Sequence, residues 1–267
     1  MQLTRIAAIV LRQGYLMRGS PARVFPLFAW VAIDVVLWGF ITRYLGSIAA
    51  PGFRLAPALL GAVLLWNFLT RVMQGVTMAF FEDVWSRNFL NIFATPLMTS
   101  EYLAGLIATA IATSLVGLVV MLLVAGAAFG FSFAAYGLAI APLLMILFLS
   151  GIALGVFASG IVLRLGPASE WLIWPIPTLV SPFVGVFYPL AVLPGWMQAI
   201  ARTLAPSYVF EGLRSVVGGQ GLPLADVVWG FALAGLYLVL AALFFAQVYR
   251  YGIRTGLVAR YSAESVT

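Results

Sequence analysis

Long apolar stretches alternate with short polar or proline-containing segments along most of the chain. The apolar stretches cover residues 24–44, 57–81, 102–125, 136–163, 171–189 and 227–249. About 20 consecutive apolar residues in a helix are enough to cross the hydrocarbon core of a bilayer. The pattern therefore predicts an all-α integral membrane protein, in which residues 1–267 form a single transmembrane domain with six transmembrane helices.

The first 23 residues are amphipathic rather than uniformly apolar. Arg5 and Arg12 lie nearly opposite a helical face that carries the apolar side chains Leu3, Ile6, Val10 and Met17. This arrangement is typical of a helix that lies in the membrane interface, and we expect an interfacial helix over residues 1–23. The alternative is a polar tail that only supplies positive charge for orientation.

A second amphipathic segment joins the second and third apolar stretches. Its aromatic side chains recur every four residues, at Phe81, Trp85, Phe89 and Phe93. Residues four apart lie on one side of a helix, and Glu82, Asp83 and Arg87 fall on other sides. The sequence therefore predicts a short helix on the membrane surface over residues 82–100. A solvated loop is the alternative.

Two of the predicted spans contain polar side chains near their middle. Asp34 lies in the first span, and Asn67, Arg71 and Gln74 follow one another at spacings of four and three in the second. Such side chains are costly in lipid, so we expect them to face the helix bundle or a water-filled cavity. Asp34 and Arg71 are a candidate ion pair, although the sequence alone does not place them at the same depth.

Two Gly-x-x-x-Gly spacings have different expected roles. Gly151 and Gly155 lie within a predicted span, where small residues four apart allow two helices to approach closely. Gly126 and Gly130 lie between two predicted spans, so we expect them in a flexible loop.

The region from residue 187 to residue 214 cannot be one plain spanning helix. Each proline removes a backbone donor and clashes with the preceding turn, and this region contains Pro189, Pro194 and Pro206. The segment between the last two breaks is too short to cross a bilayer. Because broken backbone at membrane depth needs protein or water around it, we predict a re-entrant helical hairpin. An outside loop with a surface helix is the alternative.

The overall composition limits the possible functions. Hydrophobic residues make up 64% of the chain and charged residues only 8%, against about 25% charged in soluble domains. There is no Lys, His or Cys, so the chain has no Walker A loop, no zinc site of the usual kind and no Cys nucleophile. Any ATP-driven work must use a nucleotide-binding subunit on another chain.

Arginine placement predicts the orientation of the spans. All fourteen basic residues are arginines, and with six spans most of them fall on the same side as the N-terminus. Cytoplasmic loops of membrane proteins carry an excess of basic residues. We therefore expect both termini, and the helix over residues 82–100, on the cytoplasmic side and the hairpin over residues 187–214 on the outer side.

The chain resembles the ABC type-2 permease family, the membrane subunits of bacterial ATP-binding-cassette exporters. The strongest similarity is in the proline-rich region, at Tyr188, Pro189, Pro194, Trp196, Pro206, Tyr208, Glu211 and Arg214. A second similarity is the Ala-Thr-Pro-Leu sequence at residues 94–97. Glu211 and Arg214 are three residues apart, so they share one face if that segment is helical.

The resemblance implies a permease that works as a pair in the bacterial cytoplasmic (inner) membrane. Its interfacial helix and its helix between spans two and three would dock on two ATPase subunits, which bind ATP and Mg. By position, the docking candidates are Glu82, Asp83, Trp85, Arg87 and Phe89. The resemblance also implies that the outer hairpin closes the exit, with Tyr188, Pro189, Pro194, Trp196, Pro206, Glu211 and Arg214 as gate residues.

These expectations define a function and an alternative. The expected function is a non-enzymatic permease subunit of an ATP-driven exporter, moving an amphiphilic, lipid-linked or drug-like substrate between two copies. Candidate pathway residues are Asn67, Arg71, Thr178, Ser181 and Phe187. The alternative is a stand-alone proton-coupled secondary transporter or channel, with Asp34, Arg71 and Glu211 as a proton relay. A membrane enzyme is a weaker alternative, because no carboxylates are spaced for acid–base work.

Overall fold

The computed structural model describes residues 2–48, 55–85 and 95–255, and within them the chain is helical. The nine α-helices of this part are α1 (Leu3–Arg18), α2 (Pro21–Ile48), α3 (Leu55–Trp85), α4 (Thr99–Phe129), α5 (Ile140–Leu165), α6 (Pro175–Val184), α7 (Gly195–Ala201), α8 (Ala205–Val217) and α9 (Leu224–Arg254). Three short 3₁₀ helices lie between them, at Phe133–Ala139, Pro167–Leu172 and Leu190–Val192.

Four of the described helical segments are long and apolar enough to cross a membrane. They are Ala58–Val84, Thr99–Phe129, Tyr136–Leu165 and Leu224–Arg254. The prediction of an all-helical protein is therefore confirmed for the described residues, and these four helices are compatible with membrane spans. Helix α2 has 28 residues, which at 1.5 Å per residue is about 42 Å.

Helix α3 is the centre of the bundle. It packs against α2 and α4 on one side and against α5 and α8 on the other. In its most apolar stretch 67% of the residues are buried, against 17% in α9, which lies outside α5 and α8. The side chains that line any cavity near the bundle axis must therefore come largely from α3.

Close contact between α3 and α5 depends on two glycines. A Cβ atom at Gly151 would lie 2.7 Å from Cβ of Val72, and one at Gly155 would lie 2.7 Å from Cβ of Val76. The absence of side chains lets the two helix backbones approach, so the prediction of close packing at Gly151 and Gly155 is confirmed.

The other glycine pair is divided between a helix and the connection that follows it. Helix α4 continues to Phe129, so Gly126 is helical, and Gly130 is the left-handed residue that ends the helix, with φ of 66°. The prediction of a loop at Gly126 is therefore wrong. A residue with positive φ after the last turn is a common helix ending, and glycine adopts it without steric cost.

The predicted fifth span is not one continuous helix. Residues 167–172 form a 3₁₀ turn, and α6 then begins at Pro175 and ends at Gly185, where φ is 65°. Its ten residues reach only about 15 Å, half the thickness of a bilayer core. Pro175 and Pro177 lie in the first turn of α6, where proline is tolerated, and Pro182 lies inside the helix near its end.

The hairpin region forms two helices joined by a tight turn. Pro194 precedes α7, and Pro206 lies in the first turn of α8. Ser207 fixes the turn between them, because its single hydroxyl hydrogen is shared between the carbonyl oxygens of Ala201 and Leu204. The prolines thus begin helices at the predicted breaks, while the depth of the hairpin in a membrane stays a prediction.

Candidate functional site

A cavity of about 350 Å³ lies between α2, α3, α6 and the segment that follows α6. Its walls combine aromatic rings with uncharged polar groups and one carboxylate. The lining residues are Asp34, Trp38, Trp66, Asn67, Thr70, Met73, Gln74, Thr77, Met78, Phe81, Ile173, Trp174, Pro177, Thr178 and Phe187.

Helix α3 supplies the polar wall of the cavity. Asn67, Thr70, Gln74 and Thr77 recur at spacings of three and four, which puts them on one face of the helix, and all four line the cavity. The expectation that polar groups of this span face a cavity is thus met by Asn67 and Gln74.

Arg71 does not line this cavity. Four residues at 100° each turn it about 40° beyond Asn67 around the helix, toward α4. There its side chain is buried, and its Nε atom would lie 3.0 Å from a Cβ atom at Gly117. Arg71 therefore belongs to the contact between α3 and α4, and not to the cavity where we expected it.

Asp34 joins α2 to α3 at the cavity wall. Its Oδ2 atom accepts a hydrogen bond of 2.6 Å from Nδ2 of Asn67. The bond that we expected from Arg71 thus comes from a neutral amide one turn earlier. Asp34 and Asn67, predicted from separate spans, are brought into direct contact.

An aromatic stack closes one side of the cavity. The rings of Trp38 on α2 and Phe187 after α6 are 4.8 Å apart at their centroids and inclined by 9°. Thr178 on α6 also lines the cavity, whereas Ser181, one turn further on, does not. Three of the five predicted pathway residues, namely Asn67, Thr178 and Phe187, therefore meet at one cavity.

Charged contacts fasten α1 to the end of the bundle near residue 83. Arg12 donates a hydrogen bond to Oδ1 of Asp83, and the hydroxyl of Tyr102 donates to Oδ2 at 2.8 Å. Beside them, Nε2 of Gln13 donates to the carbonyl oxygen of Ala79 at 3.1 Å. Through these contacts Asp83 joins α3 to α1 and α4. Its side chain is fully buried and has no accessible surface.

Glu101 makes a second attachment of α1. Its carboxylate accepts hydrogen bonds from the backbone nitrogens of Gln2 at 2.8 Å and Met98 at 3.1 Å, and from Nη1 of Arg5 at 3.2 Å. It thereby caps the first turn of α4 and holds the start of α1. Sequence reasoning missed this role, although Arg5 and Arg12 are two turns apart on one face of α1 and indicate two acidic partners.

The predicted docking residues are placed differently from our expectation. No separate helix begins at residue 82, because α3 continues to Trp85, with Glu82 half-buried and Asp83 buried in its last turn. Asp83 is thus a contact within the chain rather than a docking surface. Arg87, Phe89 and the side chain of Trp85 lie outside the described residues.

Two charged residues of α8 hold the backbone that follows α6. Oε1 of Glu211 accepts hydrogen bonds from the backbone nitrogen of Leu190 at 2.7 Å and from Nη2 of Arg214 at 2.8 Å. Nη1 of Arg214 donates to the carbonyl oxygen of Gly185 at 2.8 Å. This pair therefore fixes the segment that carries Phe187.

The remaining predicted gate residues shape the same region. The hydroxyl of Tyr188 donates to the carbonyl oxygen of Pro182 at 2.7 Å, and Pro189 precedes the 3₁₀ turn at Leu190–Val192. The ring of Trp196, largely exposed, lies 6.3 Å from that of Phe183. These contacts build a folded loop around the end of α6.

Tyr208 braces the turn between α7 and α8. Its hydroxyl donates to the carbonyl oxygen of Arg202 at 2.8 Å. Burial raises the pKa of Tyr208, and the negative charge of Asp226 raises it further.

A scan against protein-family models finds no matching family, and no curated protein matches the sequence either.

Proposed function

We propose that this chain is the transmembrane permease subunit of an ATP-driven exporter in the bacterial inner membrane. Two copies work together with two ATPase subunits, which bind ATP and Mg. Each copy has six spans. Four of them are the long apolar helices, and the other two are α2 and the broken segment over residues 167–184. Both termini are cytoplasmic, and the substrate is amphiphilic, lipid-linked or drug-like.

The observation that carries this proposal is the attachment of α1. An amphipathic helix that merely rested on a membrane would need no buried partner, yet Arg12 of α1 meets the fully buried carboxylate of Asp83. A force applied to α1 is therefore passed to the ends of α3 and α4 through Asp83, Tyr102 and Glu101. This arrangement suits a helix that transmits motion from an ATPase to the spans.

Helix α3 connects that attachment to the cavity. Between Asp83 and Asn67 the helix is continuous, and the intervening turns carry the cavity wall. Because helices move as rigid bodies against one another in transport cycles, a displacement of the Asp83 end moves the cavity lining with it. The expected docking surface is the end of α3 around Glu82 and Trp85, together with α1.

In the proposed cycle, the hairpin acts at the outer side of the membrane. Glu211 and Arg214 hold the backbone around residues 185–190, and Phe187 in that segment stacks on Trp38. Movement of α8 would therefore separate this stack and open the cavity outward. This coupling supports an exit gate formed by the hairpin.

One observation favours the secondary-transporter alternative, namely a carboxylate at the cavity. The other two members of the expected relay lie elsewhere, because Arg71 packs against Gly117 and Glu211 pairs with Arg214. A relay through Asp34 would therefore need different partners. The attachment of α1 has no role in that alternative.

The test is co-purification with an ATPase subunit. The tagged chain is expressed with the ATPase encoded beside it, purified in detergent, and reconstituted for ATP hydrolysis. We expect recovery of both subunits in equal amounts, and loss of the ATPase when Glu82→Ala and Trp85→Ala are combined.

The matched control combines Arg202→Ala with Trp229→Ala, which removes one charge and one tryptophan from exposed positions after α7 and in α9. This variant should retain the ATPase. Recovery of the chain alone, together with proton-driven flux in liposomes, would overturn the proposal and support the secondary transporter.

A further inference from the structure

We propose that the cavity between α2, α3 and α6 binds a lipophilic organic cation, with Asp34 as the residue that recognises its positive charge. The inference deepens the proposed function by naming the substrate class, and it rests on that function only in treating the cavity as part of the transport pathway.

Asp34 gives the cavity its sign of charge. Among the described residues that line the cavity, Asp34 alone carries a formal charge. Its hydrogen bond comes from the amide of Asn67, which orients the carboxylate but brings no positive charge. A carboxylate can accept about four hydrogen bonds, so Asp34 keeps acceptor capacity for a ligand. A carboxylate inside a membrane is costly, and such a residue is by default part of a functional site.

The polar groups around Asp34 are arranged as acceptors. The hydroxyls of Thr70 and Thr77 donate to the carbonyl oxygens of Trp66 and Met73 at 3.0 and 2.8 Å. Asn67 donates one hydrogen of its amide to Asp34. With these hydrogens already committed within the protein, the oxygen lone pairs of the same groups are what the wall offers to a ligand. The amide of Gln74 and the indole nitrogens of the wall can still donate, but the carboxylate of Asp34 repels an anion, so a cation is favoured.

The aromatic walls suit the same ligand class. Five rings line the cavity, those of Trp38, Trp66, Phe81, Trp174 and Phe187. The face of an aromatic ring attracts a cation within about 6 Å of its centre, and tryptophan does so most strongly. The volume of about 350 Å³ lies at the lower end of small-molecule sites, about 300–1,000 Å³. A compact cation with apolar substituents therefore matches both the chemistry and the size.

The test compares two ions of the same shape and opposite charge, tetraphenylphosphonium and tetraphenylborate. Saturable binding to the purified full-length chain in detergent is measured by equilibrium dialysis, with tryptophan fluorescence quenching as a second readout. We expect saturable binding of the phosphonium ion and at least tenfold weaker binding of the borate ion. Equal or tighter binding of the borate ion, or no saturable binding of the phosphonium ion, would overturn the inference.

Variants locate the charge that is responsible. Asp34→Asn keeps the size of the side chain, and should weaken phosphonium binding at least tenfold, whereas Asp34→Glu should retain most of it. Asp226→Asn, on the first turn of α9 away from the cavity, is the matched control and should bind as the wild type does. Wild-type binding by Asp34→Asn would overturn the assignment.

Two features keep the experiment decisive. If Asp34→Asn does not fold, the comparison of the two ions on the wild-type chain still decides the charge preference. Because binding is measured without an ATPase subunit, its failure leaves the permease proposal standing. Failure of ATPase co-purification, in turn, leaves the cation site standing.

Discussion

Ionic contacts stabilise two regions of this molecule, the end near α1 and the hairpin. In the two regions, the charged side chains bind different kinds of groups. In the Asp83 cluster (Asp83, Arg12 and Tyr102), side chains of three helices bind one another. In the Glu211 cluster (Glu211, Arg214 and the backbone of residues 185–190), side chains of one helix bind backbone atoms of a loop.

The difference follows from the groups that each cluster can reach. Where α1, α3 and α4 pack together, the side-chain donors of Arg12 and Tyr102 reach the carboxylate of Asp83. Around residues 185–190 the helix has ended and prolines interrupt the chain, which leaves backbone donors and acceptors free. Charged residues therefore join helices at one place and complete a broken backbone at the other.

Burial also differs between the two clusters. The side chain of Asp83 is 0% exposed, whereas that of Glu211 is 35% exposed. A charge without water depends more strongly on its partner than a charge that water can reach. We therefore expect the Asp83 cluster to be the more sensitive to substitution.

The largest effect is expected for removal of one partner in the Asp83 cluster. Asp83→Leu leaves the charge of Arg12 unpaired in a largely buried contact, and should lower the free energy of unfolding by about 3–5 kcal/mol. Thermal unfolding in detergent measures the loss. The double variant with Arg12→Leu should be more stable than Asp83→Leu alone, because it removes both charges. A double variant that loses the sum of the two single effects would contradict the pairing.

A smaller, local effect is expected in the Glu211 cluster. Glu211→Ala removes the acceptor for the amide of Leu190 and should cost about 2 kcal/mol, typical of a hydrogen bond to a charged group. Amide hydrogen exchange should accelerate at residues 185–190 and stay unchanged within α3. Arg202→Ala, an exposed charge on the neighbouring turn, serves as the control and should alter neither. An unchanged rate of amide hydrogen exchange at Leu190 would contradict the proposal that Glu211 fixes this backbone.

The smallest effect is expected for Glu101→Gln. This residue sharpens the comparison because its carboxylate binds both a side chain, that of Arg5, and backbone nitrogens. Glutamine retains one oxygen, so it can accept from the backbone nitrogen of Gln2 or of Met98 but not from both, and it loses the charge that faces the partly exposed Arg5. Thermal unfolding in detergent should show a loss of stability that is smaller than that of Asp83→Leu, because the substitution keeps the size of the side chain and one of its acceptors.

Salt should act alike on the two attachments of α1. In each of them the arginine is 30% exposed and the carboxylate 0% exposed. At 1 M salt the screening length falls to about 3 Å, so the stability differences of Glu101→Gln and Asp83→Leu from the wild type should change to a similar degree. Thermal unfolding at low and high salt measures both differences, and a salt dependence of only one of them would contradict the expectation.

Local sequence patterns predicted several features of the fold and the site. The spacing of Gly151 and Gly155 indicated close packing, the prolines indicated the hairpin breaks, and the stripe from Asn67 to Gln74 indicated a polar wall. These features depend on helical periodicity or on backbone chemistry, which neighbouring residues control. Other predictions were wrong. Helix α3 continues through residue 82, and Asp34 bonds Asn67 rather than Arg71. The second of these depends on how two helices pack, which local patterns do not determine.

By itself, the sequence determined that this is a helical membrane protein with an amphipathic start and a proline-broken hairpin, because hydropathy, periodicity and proline chemistry act locally. The tertiary structure decided which polar groups meet. It paired Asp34 with Asn67 rather than Arg71, Arg12 with Asp83, and Phe187 with Trp38. Those pairings depend on the rotation and depth of each helix, which are set by packing between residues far apart in the chain.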